Sequence, residues 1–180
     1  MAEGEAGVSG GALVFRGRLT EADAVALRRC HDRVIIRRPF RWLAGLAAAG
    51  MIVMMSWYIA SHGPDTVSVL FLVGCAYVLF GFRAERTWAT RRHYRRHPDE
   101  YLETEARLTP GLVAITNAAH RTEFAWRLVG GLADDPAGVL FYTRDRQPVL
   151  WLPSRLFEGN DLRERVLALA AKNGVEVSCP

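Results

Sequence analysis

The sequence predicts an α+β membrane protein, in which a two-helix transmembrane hairpin precedes a small antiparallel β-sheet domain with a C-terminal capping helix. Residues 42–61 and 66–82 form two runs without Asp, Glu, Lys or Arg. Residues 101–152 instead alternate between apolar and polar side chains, as strands do. The chain has 180 residues, is 50% hydrophobic and carries a net charge of +4. That composition excludes a disordered chain and a pair of large domains.

The N-terminal part contains a short strand and a helix. Residues 1–11 are rich in Gly, Ala and Glu, and we expect them to be disordered. Residues 12–41 are predicted to form a cytoplasmic strand and helix. The strand covers 12–19, where apolar and polar side chains partly alternate. Thr20, with Asp23 three residues later, is typical of a helix N-cap, so the helix runs from Glu21 towards Arg33.

The two charge-free runs, 42–61 and 66–82, have the length of membrane spans. The first has 20 residues and the second 17. A helix rises ~1.5 Å per residue and a bilayer core is ~30 Å thick, so the second run is at the short end. A Gly-Pro pair within residues 61–65 breaks the helix between them and predicts an antiparallel hairpin. The alternative, two buried core helices, is disfavoured because neither run has a polar face.

The charges beside the runs predict an orientation. Residues 28–41 and 83–97 each carry six arginines against one acidic residue, a net charge of +5. The positive-inside rule then predicts a multi-pass protein of the cell inner (plasma) membrane with both termini in the cytoplasm. Residues 99–180 carry 9 basic and 12 acidic side chains, which excludes a nucleic-acid partner. We expect the following residues to contact anionic lipid headgroups: Arg37, Arg38, Arg41, Arg83, Arg86, Arg91, Arg92, Arg95 and Arg96.

Residues 83–98 are predicted to form a basic juxtamembrane helix that ends at Pro98. His93 and His97 lie four residues apart in it and face the same way. No Cys or His supplies an obvious third and fourth ligand, and the neighbouring arginines repel a cation, so we predict no metal site. Together with Asp99 and Glu100, the two histidines form the cluster of titratable groups that an enzyme would use here.

Residues 99–180 are predicted to form one cytoplasmic domain of five or more strands and a final helix. The helix covers 161–171 and is closed by Asn173-Gly174. We expect the strand at 12–19 to join the sheet, because 80 residues make a marginal core. Gly130-Gly131 is interpreted as a turn and Asp134-Asp135 as a solvated turn. The predicted strands are 101–108, 112–116, 121–126, 138–143 and 149–152.

The order of these elements resembles the YcxB-like proteins of bacteria over residues 12–173. The similarity lies in the strands at 112–116 and 139–142, the segment 122–126, and the stretch 150–157. In that stretch Pro153, Arg155 and Phe157 match the family's "iPkr-F" pattern, whereas Ser154 departs from its basic residue. The resemblance implies a cytoplasmic domain similar to bacterial pleckstrin-homology-like (PH-like) domains, and it implies no known catalytic activity.

The motifs of common enzyme classes are absent from the sequence. It has no phosphate-binding Gly-rich loop with Lys-Ser/Thr, no G-x-S-x-G and no H-E-x-x-H. We therefore expect no enzyme, no catalytic residue and no cofactor, but a binding module at the membrane surface. Its expected partners are a lipid bilayer with anionic headgroups and either a protein partner or a second copy. The alternative is a small membrane enzyme, or an accessory subunit of a membrane enzyme or transporter complex.

Overall fold

The computed structural model describes residues 5–9, 11–35, 38–77, 82–157 and 161–178. The chain forms two compact units. We call Met1–Ile35 with His93–Pro180 the sheet unit, and Ile36–Arg92 the helix unit. The α-helices in the described residues are α1 (Glu21–Ile35), α2 (Arg38–His62), α3 (Thr66–Ala76), α4 (Phe82–Arg96) and α5 (Leu162–Lys172).

In the described part of the sheet unit, nine strands form two sheets. They are β1 (Glu5–Ser9), β2 (Ala12–Gly17), β3 (Thr104–Leu108), β4 (Leu112–Asn117), β5 (Arg121–Ala125), β6 (Val129–Asp135), β7 (Gly138–Thr143), β8 (Pro148–Pro153) and β9 (Val177–Ser178). The first sheet has the order β1-β2-β3-β4-β5 and is antiparallel throughout. The second has the order β8-β7-β6-β9, with β9 parallel to β6.

The core of the sheet unit lies between the two sheets and α5. Phe15 of β2, Leu108 of β3 and Phe141 of β7 are fully buried there. Leu162, Val166 and Ala170 form the buried face of α5, at helical spacing. Gly174, at a φ of 75°, ends this helix in a conformation that glycine adopts without strain.

The second sheet is buried on both faces. Its strand β7 sends Val139 and Phe141 into the core between the sheets, and Leu140 into a second cluster with Cys30 of α1. Because α1 covers the outer face, the apolar run of β7 does not alternate with polar residues.

The strand predicted at 12–19 pairs with the C-terminal strands, as expected. Leu13 lies opposite Leu108, and Gly17 lies opposite Thr104. The N-terminus differs from the expectation of disorder, since β1 at Glu5–Ser9 pairs with β2. Gly130-Gly131 lies within β6 at a register shift and not in a turn.

The predicted fold class, an α+β membrane protein with a two-helix transmembrane hairpin, is wrong. Among the described residues one helix, α2, is long and apolar enough to cross a bilayer, over Gly45–His62. α3 has 11 residues. At ~1.5 Å per residue it reaches roughly half of the ~30 Å bilayer core. The rest of the second predicted span includes residues 78–81, which lie outside the described residues.

The predicted location, a multi-pass inner-membrane protein with both termini cytoplasmic, is wrong for the same reason. The positive-inside rule orients spans but does not show that they exist. The first run does contain a segment long and apolar enough to span, Gly45–His62, with a mean hydropathy of 1.2. In the second run, α3 ends at Ala76 with Tyr77 as its C-cap.

Candidate functional site

Helix α2 presents an apolar stripe to its surroundings. Only 6% of the window Gly45–His62 is buried. Leu46, Val53 and Trp57 are 65%, 69% and 70% exposed. Their spacings of seven and four residues place them on one side of the helix. Their exposure therefore follows one continuous line along α2.

Helix α3 packs against α2 and carries a similar stripe. Ser68 and Cys75 are its buried residues. Val67, Leu70 and Val73 recur at every third position and are 73%, 66% and 61% exposed. Monomeric proteins in water rarely expose contiguous apolar patches beyond a few hundred Å², and larger ones mark interaction surfaces. We call the exposed apolar side chains of α2 and α3 the helix-pair surface.

The arginines predicted to contact lipid headgroups occupy different places. Arg37 lies outside the described residues. Arg38 and Arg41 lie in the first turn of α2, and Arg83 lies in the first turn of α4. Arg86 is half-buried on α4. The exposed members are Arg91, Arg92, Arg95 and Arg96.

Within the helix unit, Arg91 and Arg92 accompany an exposed aromatic ring. The Arg92 guanidinium lies 4.9 Å from the ring centre of Trp88, a cation–π contact. Trp88 is 59% exposed. In the sheet unit, Arg95 has a different role, because its Nε lies 3.1 Å from Glu21 of α1. Arg91 and Arg92 are the arginines of the helix unit that the structure describes as exposed.

Two members of the titratable cluster named for the enzyme alternative, His93 and His97, lie side by side. The rings of His93 and His97 lie 4.7 Å apart, and His93 also meets Tyr101 edge-on. Asp99 and Glu100 lie in the 3-10 helix Pro98–Tyr101. No group of three or more His, Cys, Asp or Glu side chains suited to a metal occurs in the part of the chain that the structure describes.

A cleft of about 240 Å³ opens in the sheet unit between β2, α1 and β8. Most of its wall is apolar, and its charged side chains are Arg16, Arg18 and Arg155. The principal apolar lining residues are Phe15, Leu19, Leu27, Ile115, Val149 and Leu156. Sequence reasoning missed this cleft, because residues from four strands and helix α1 meet there only in the folded chain.

Trp151 lines the same cleft and carries an unsatisfied donor. Its side chain is 5% exposed, and its indole Nε1–H has no hydrogen-bond acceptor among the described residues. A buried donor without an acceptor costs about 1–3 kcal/mol. By contrast, the buried indole of Trp126 donates to the carbonyl oxygen of Thr109 at 2.8 Å. Trp151 therefore differs from the ordinary buried tryptophan of this unit.

The stretch that matched the "iPkr-F" pattern has identifiable structural roles. Pro153 is buried at the end of β8, and Phe157 packs edge-on against Phe15 at 5.6 Å. Arg155 donates to Asp23 of α1 at 2.9 Å and to the carbonyl oxygen of Arg18 at 2.7 Å. These contacts make Pro153 and Phe157 packing residues of the sheet unit. They also make Arg155 the link between β8 and the start of α1.

Asp134-Asp135 is not a solvated turn. Arg163 of α5 lies 2.6 Å from Asp134, and Arg33 of α1 forms an ion pair with Asp135. Asp135 is 6% exposed and also accepts from the backbone N–H of Ala137. The pair therefore joins two helices to the β6–β7 turn, which the sequence did not indicate because both arginines are distant in the chain.

The thiol of Cys30 is unreactive in the folded sheet unit. Burial, reinforced by the negative charge of Asp135, raises the pKa of its thiol to about 12. Since the thiolate is the nucleophile and metal ligand, a thiol of this pKa reacts slowly near neutral pH. Cys30 therefore acts as a small packing residue against Ala133, Leu140 and Trp151.

Comparison with protein-family models, with curated proteins and with solved structures finds no match to this chain. The similarity to YcxB-like proteins stays a prediction from the sequence.

Proposed function

We propose that this chain is an interaction module that binds the surface of an anionic lipid layer through its helix-pair surface. The observation that carries the proposal is the exposure of the apolar stripes on α2 and α3, with only 6% of Gly45–His62 buried. Burying one such side chain stabilises by about 1.5–3 kcal/mol. Several of them in a row therefore supply a large driving force for contact with an apolar phase.

Charge favours lipid over a second copy as the partner. Arg91 and Arg92 are exposed on α4 of the same unit, and Arg38 and Arg41 begin α2. A second copy would bring the same positive charges together, whereas anionic headgroups attract each basic residue by about 1 kcal/mol. The exposed Trp88 beside Arg92 is a side chain typical of the lipid–water interface. Lipid contact of this kind requires no second membrane-crossing helix.

Vesicle flotation of the purified full chain tests the proposal. We expect flotation with vesicles that contain phosphatidylglycerol, and weaker flotation with pure phosphatidylcholine. Replacement of Leu46 and Val53 by Ser should lower the bound fraction on both vesicle types about tenfold or more, because both side chains lose their apolar transfer energy.

The charge contribution is tested by the double variant Arg91→Gln/Arg92→Gln. It should lose binding to anionic vesicles at low salt and behave as the parent chain on neutral ones. Arg121→Gln removes an exposed arginine from β5 of the sheet unit and serves as the control, with unchanged flotation expected. A chain that ignores both vesicle types and forms discrete oligomers would overturn the proposal in favour of self-association.

The enzyme alternative has no observation in its favour among the described residues. The ring contacts of His93 and His97 involve each other and Tyr101. Replacement of His93, His97, Asp99 and Glu100 by Ala in the native host tests that cluster directly. A growth defect with normal protein level and normal vesicle binding would restore the alternative.

A further inference from the structure

The cleft between β2, α1 and β8 runs along the free edge of the second sheet. β8 is the outermost strand in the order β8-β7-β6-β9. All residues of β8, Pro148–Pro153, line the cleft. Successive side chains of a strand point to opposite faces of its sheet, so a cavity that reaches every residue lies beside the edge of the strand. The cleft therefore faces the backbone of β8 as well as its side chains.

The opposite wall of the cleft is the inner face of the first sheet. Phe15 of β2, Ala106 of β3 and Ile115 of β4 lie side by side across paired strands, and all of them line the cleft. Gly17 and Thr104 form the next row. The cleft is thus bounded by the inner face of one sheet and the free edge of the other. This is the position that a further strand of the second sheet would occupy, with its side chains against the first sheet.

Trp151 turns its backbone groups towards this free edge. Ser154, the residue after β8, donates its backbone N–H to the carbonyl oxygen of Ala137 at 2.9 Å. Bonded and non-bonded positions alternate along an antiparallel pair, so Leu152 also faces β7, whereas Trp151 and Pro153 face away from it. Pro153 has no N–H, and the backbone N–H and carbonyl of Trp151 have no partner among the described residues. An edge strand with unpaired groups is a template for an added strand.

The charge around the cleft favours an acidic partner. Its described lining residues include Arg16, Arg18 and Arg155, and no Asp or Glu. Arg16 and Arg155 each pair with a carboxylate of the chain. The exposed Arg18 instead donates to two backbone carbonyls, of Tyr101 at 2.9 Å and of Pro98 at 3.2 Å. These bonds hold the guanidinium in place and leave its charge without a carboxylate partner in the part of the chain that the structure describes.

We propose that this cleft is a docking site for a short extended segment of a partner protein, which adds to β8 as a fifth strand of the second sheet. Its backbone pairs with that of Trp151, and its inward side chains are apolar and pack on the first sheet. An acidic side chain of the segment meets Arg18. Pockets for drug-sized ligands occupy about 300–1,000 Å³. The cleft encloses about 240 Å³, which limits the segment to a few residues.

The same observations disfavour two other occupants. A second copy docking through its own β8 edge would bring the arginines of two clefts together. A lipid chain would contact the apolar wall but would leave the backbone groups of Trp151 unpaired. Every residue that lines the cleft belongs to the sheet unit, so the docking site is independent of the helix-pair surface.

NMR titration of the full chain with a designed peptide tests the docking site. The probe is acetyl-Glu-Val-Thr-Val-Thr-Val-Glu-amide, which has Val on one face when extended and an acid at each end, so that either strand direction suits Arg18. The chain is labelled with nitrogen-15 and held in lipid nanodiscs or, if it is monodisperse without lipid, in buffer. We expect saturable binding that slows hydrogen exchange of the Trp151 amide. The amides of Leu150 and Leu152, which already face β7, should change much less.

Variants of the peptide and of the chain separate the contributions. A fully N-methylated peptide keeps every side chain but donates no backbone hydrogen bond, and it should not bind. Arg18→Gln should weaken binding about threefold, as the loss of an exposed ion pair does. Val149→Phe should abolish binding by filling the cleft. Arg107→Gln, at an exposed position on β3, is the matched control and should bind as the parent chain does.

Three results would overturn the proposal. One is equal binding of the parent and the N-methylated peptides, which would show that the backbone is not recognised. Another is a Trp151 amide that does not respond up to the solubility limit of the peptide while the chain remains folded. The third is a dimer in analytical ultracentrifugation that Val149→Phe dissociates, since a second copy would then occupy the cleft. The comparison of peptides uses the parent chain, so the conclusion does not depend on the folding of any variant.

Discussion

The sheet unit buries its apolar side chains, whereas the helix unit exposes many of its own. In β7, Val139, Leu140 and Phe141 are all 0% exposed, because α1 covers one face of the sheet and the main core covers the other. In α2, Leu46 and Val53 are 65% and 69% exposed. An apolar composition favours burial of a segment in either unit. Whether other parts of the same chain bury it depends on the tertiary packing around it.

The largest expected effect comes from truncating one phenylalanine in each unit. Phe141→Ala should lower the free energy of unfolding by about 3–5 kcal/mol, because the ring is fully buried and leaves a cavity. Phe71→Ala removes a ring of α3 that is 42% exposed, and should change it by less than about 1 kcal/mol. Denaturant titration followed by circular dichroism measures both. Equal losses would break the contrast between the units.

A second comparison uses two glycines. In Gly130→Ala the new methyl group would overlap the backbone of Arg144, which cannot move aside as a flexible side chain can. We expect a loss of about 3 kcal/mol. In Gly50→Ala the methyl group of α2 meets open space, and the higher helix propensity of Ala should stabilise by about 0.5–1 kcal/mol. Thermal melting should shift in opposite directions, and a neutral Gly130→Ala would show that β6 is loosely packed.

Within the sheet unit, the loss of a buried carboxylate should cost more stability than the loss of an exposed one. Asp135→Ala removes the ion pair with Arg33 and the acceptor for Ala137 N–H, and should cost about 2 kcal/mol. Glu123→Ala removes an ion pair with Arg121 whose side chains are 44% and 68% exposed, and should cost about 0–1 kcal/mol. Urea titration of both variants gives the ranking. A costless Asp135→Ala would mean that α1 is held by its apolar contacts alone.

The smallest expected effect concerns Cys30. With a thiol pKa of about 12, its thiolate fraction at pH 8 is roughly 10⁻⁴, so iodoacetamide should leave it unmodified in the native chain. Peptide mapping after alkylation, with a guanidinium-unfolded sample as control, reads this out. The stability that the protonated thiol contributes is present below the ordinary cysteine pKa of 9.0 and is lost as the pH rises towards the folded-state pKa of about 12. Rapid native alkylation of Cys30 would indicate that α1 opens from the sheet.

Several elements of the sheet unit were predictable because their signals are local. The helix from Glu21 begins directly after Thr20. The backbone N–H of Thr20 donates to the Asp23 carboxylate, and the backbone N–H of Asp23 donates to the Thr20 hydroxyl. The strand predicted at 138–143 is β7 with the same bounds. Strand β6 was interpreted as a connection and a turn, because Gly130-Gly131 and Asp134-Asp135 are residues that usually break strands. Its pairing depends on close approach to β7, which no local pattern reveals.

The candidate site was predictable only in part. The exposed arginines of α4 could be named from charge alone, but their division between ion pairs and open surface depends on partners such as Glu21, which is distant in the chain. The cleft and the unsatisfied Trp151 donor left no trace in the sequence. The indole of Trp126 has an acceptor, whereas that of Trp151 has none among the described residues, and no local pattern distinguishes the two tryptophans.

The sequence by itself determined which segments are apolar, where the basic residues lie, and which short stretches form strands and helices. These properties follow from side chains that are neighbours along the chain. The tertiary structure decided that α3 ends at Ala76, that the strands divide into two sheets, and that an apolar cleft lies between β2, α1 and β8. The physical reason is that burial, ion pairing and hydrogen-bond satisfaction depend on residues distant in sequence, whose meeting only the folded chain fixes.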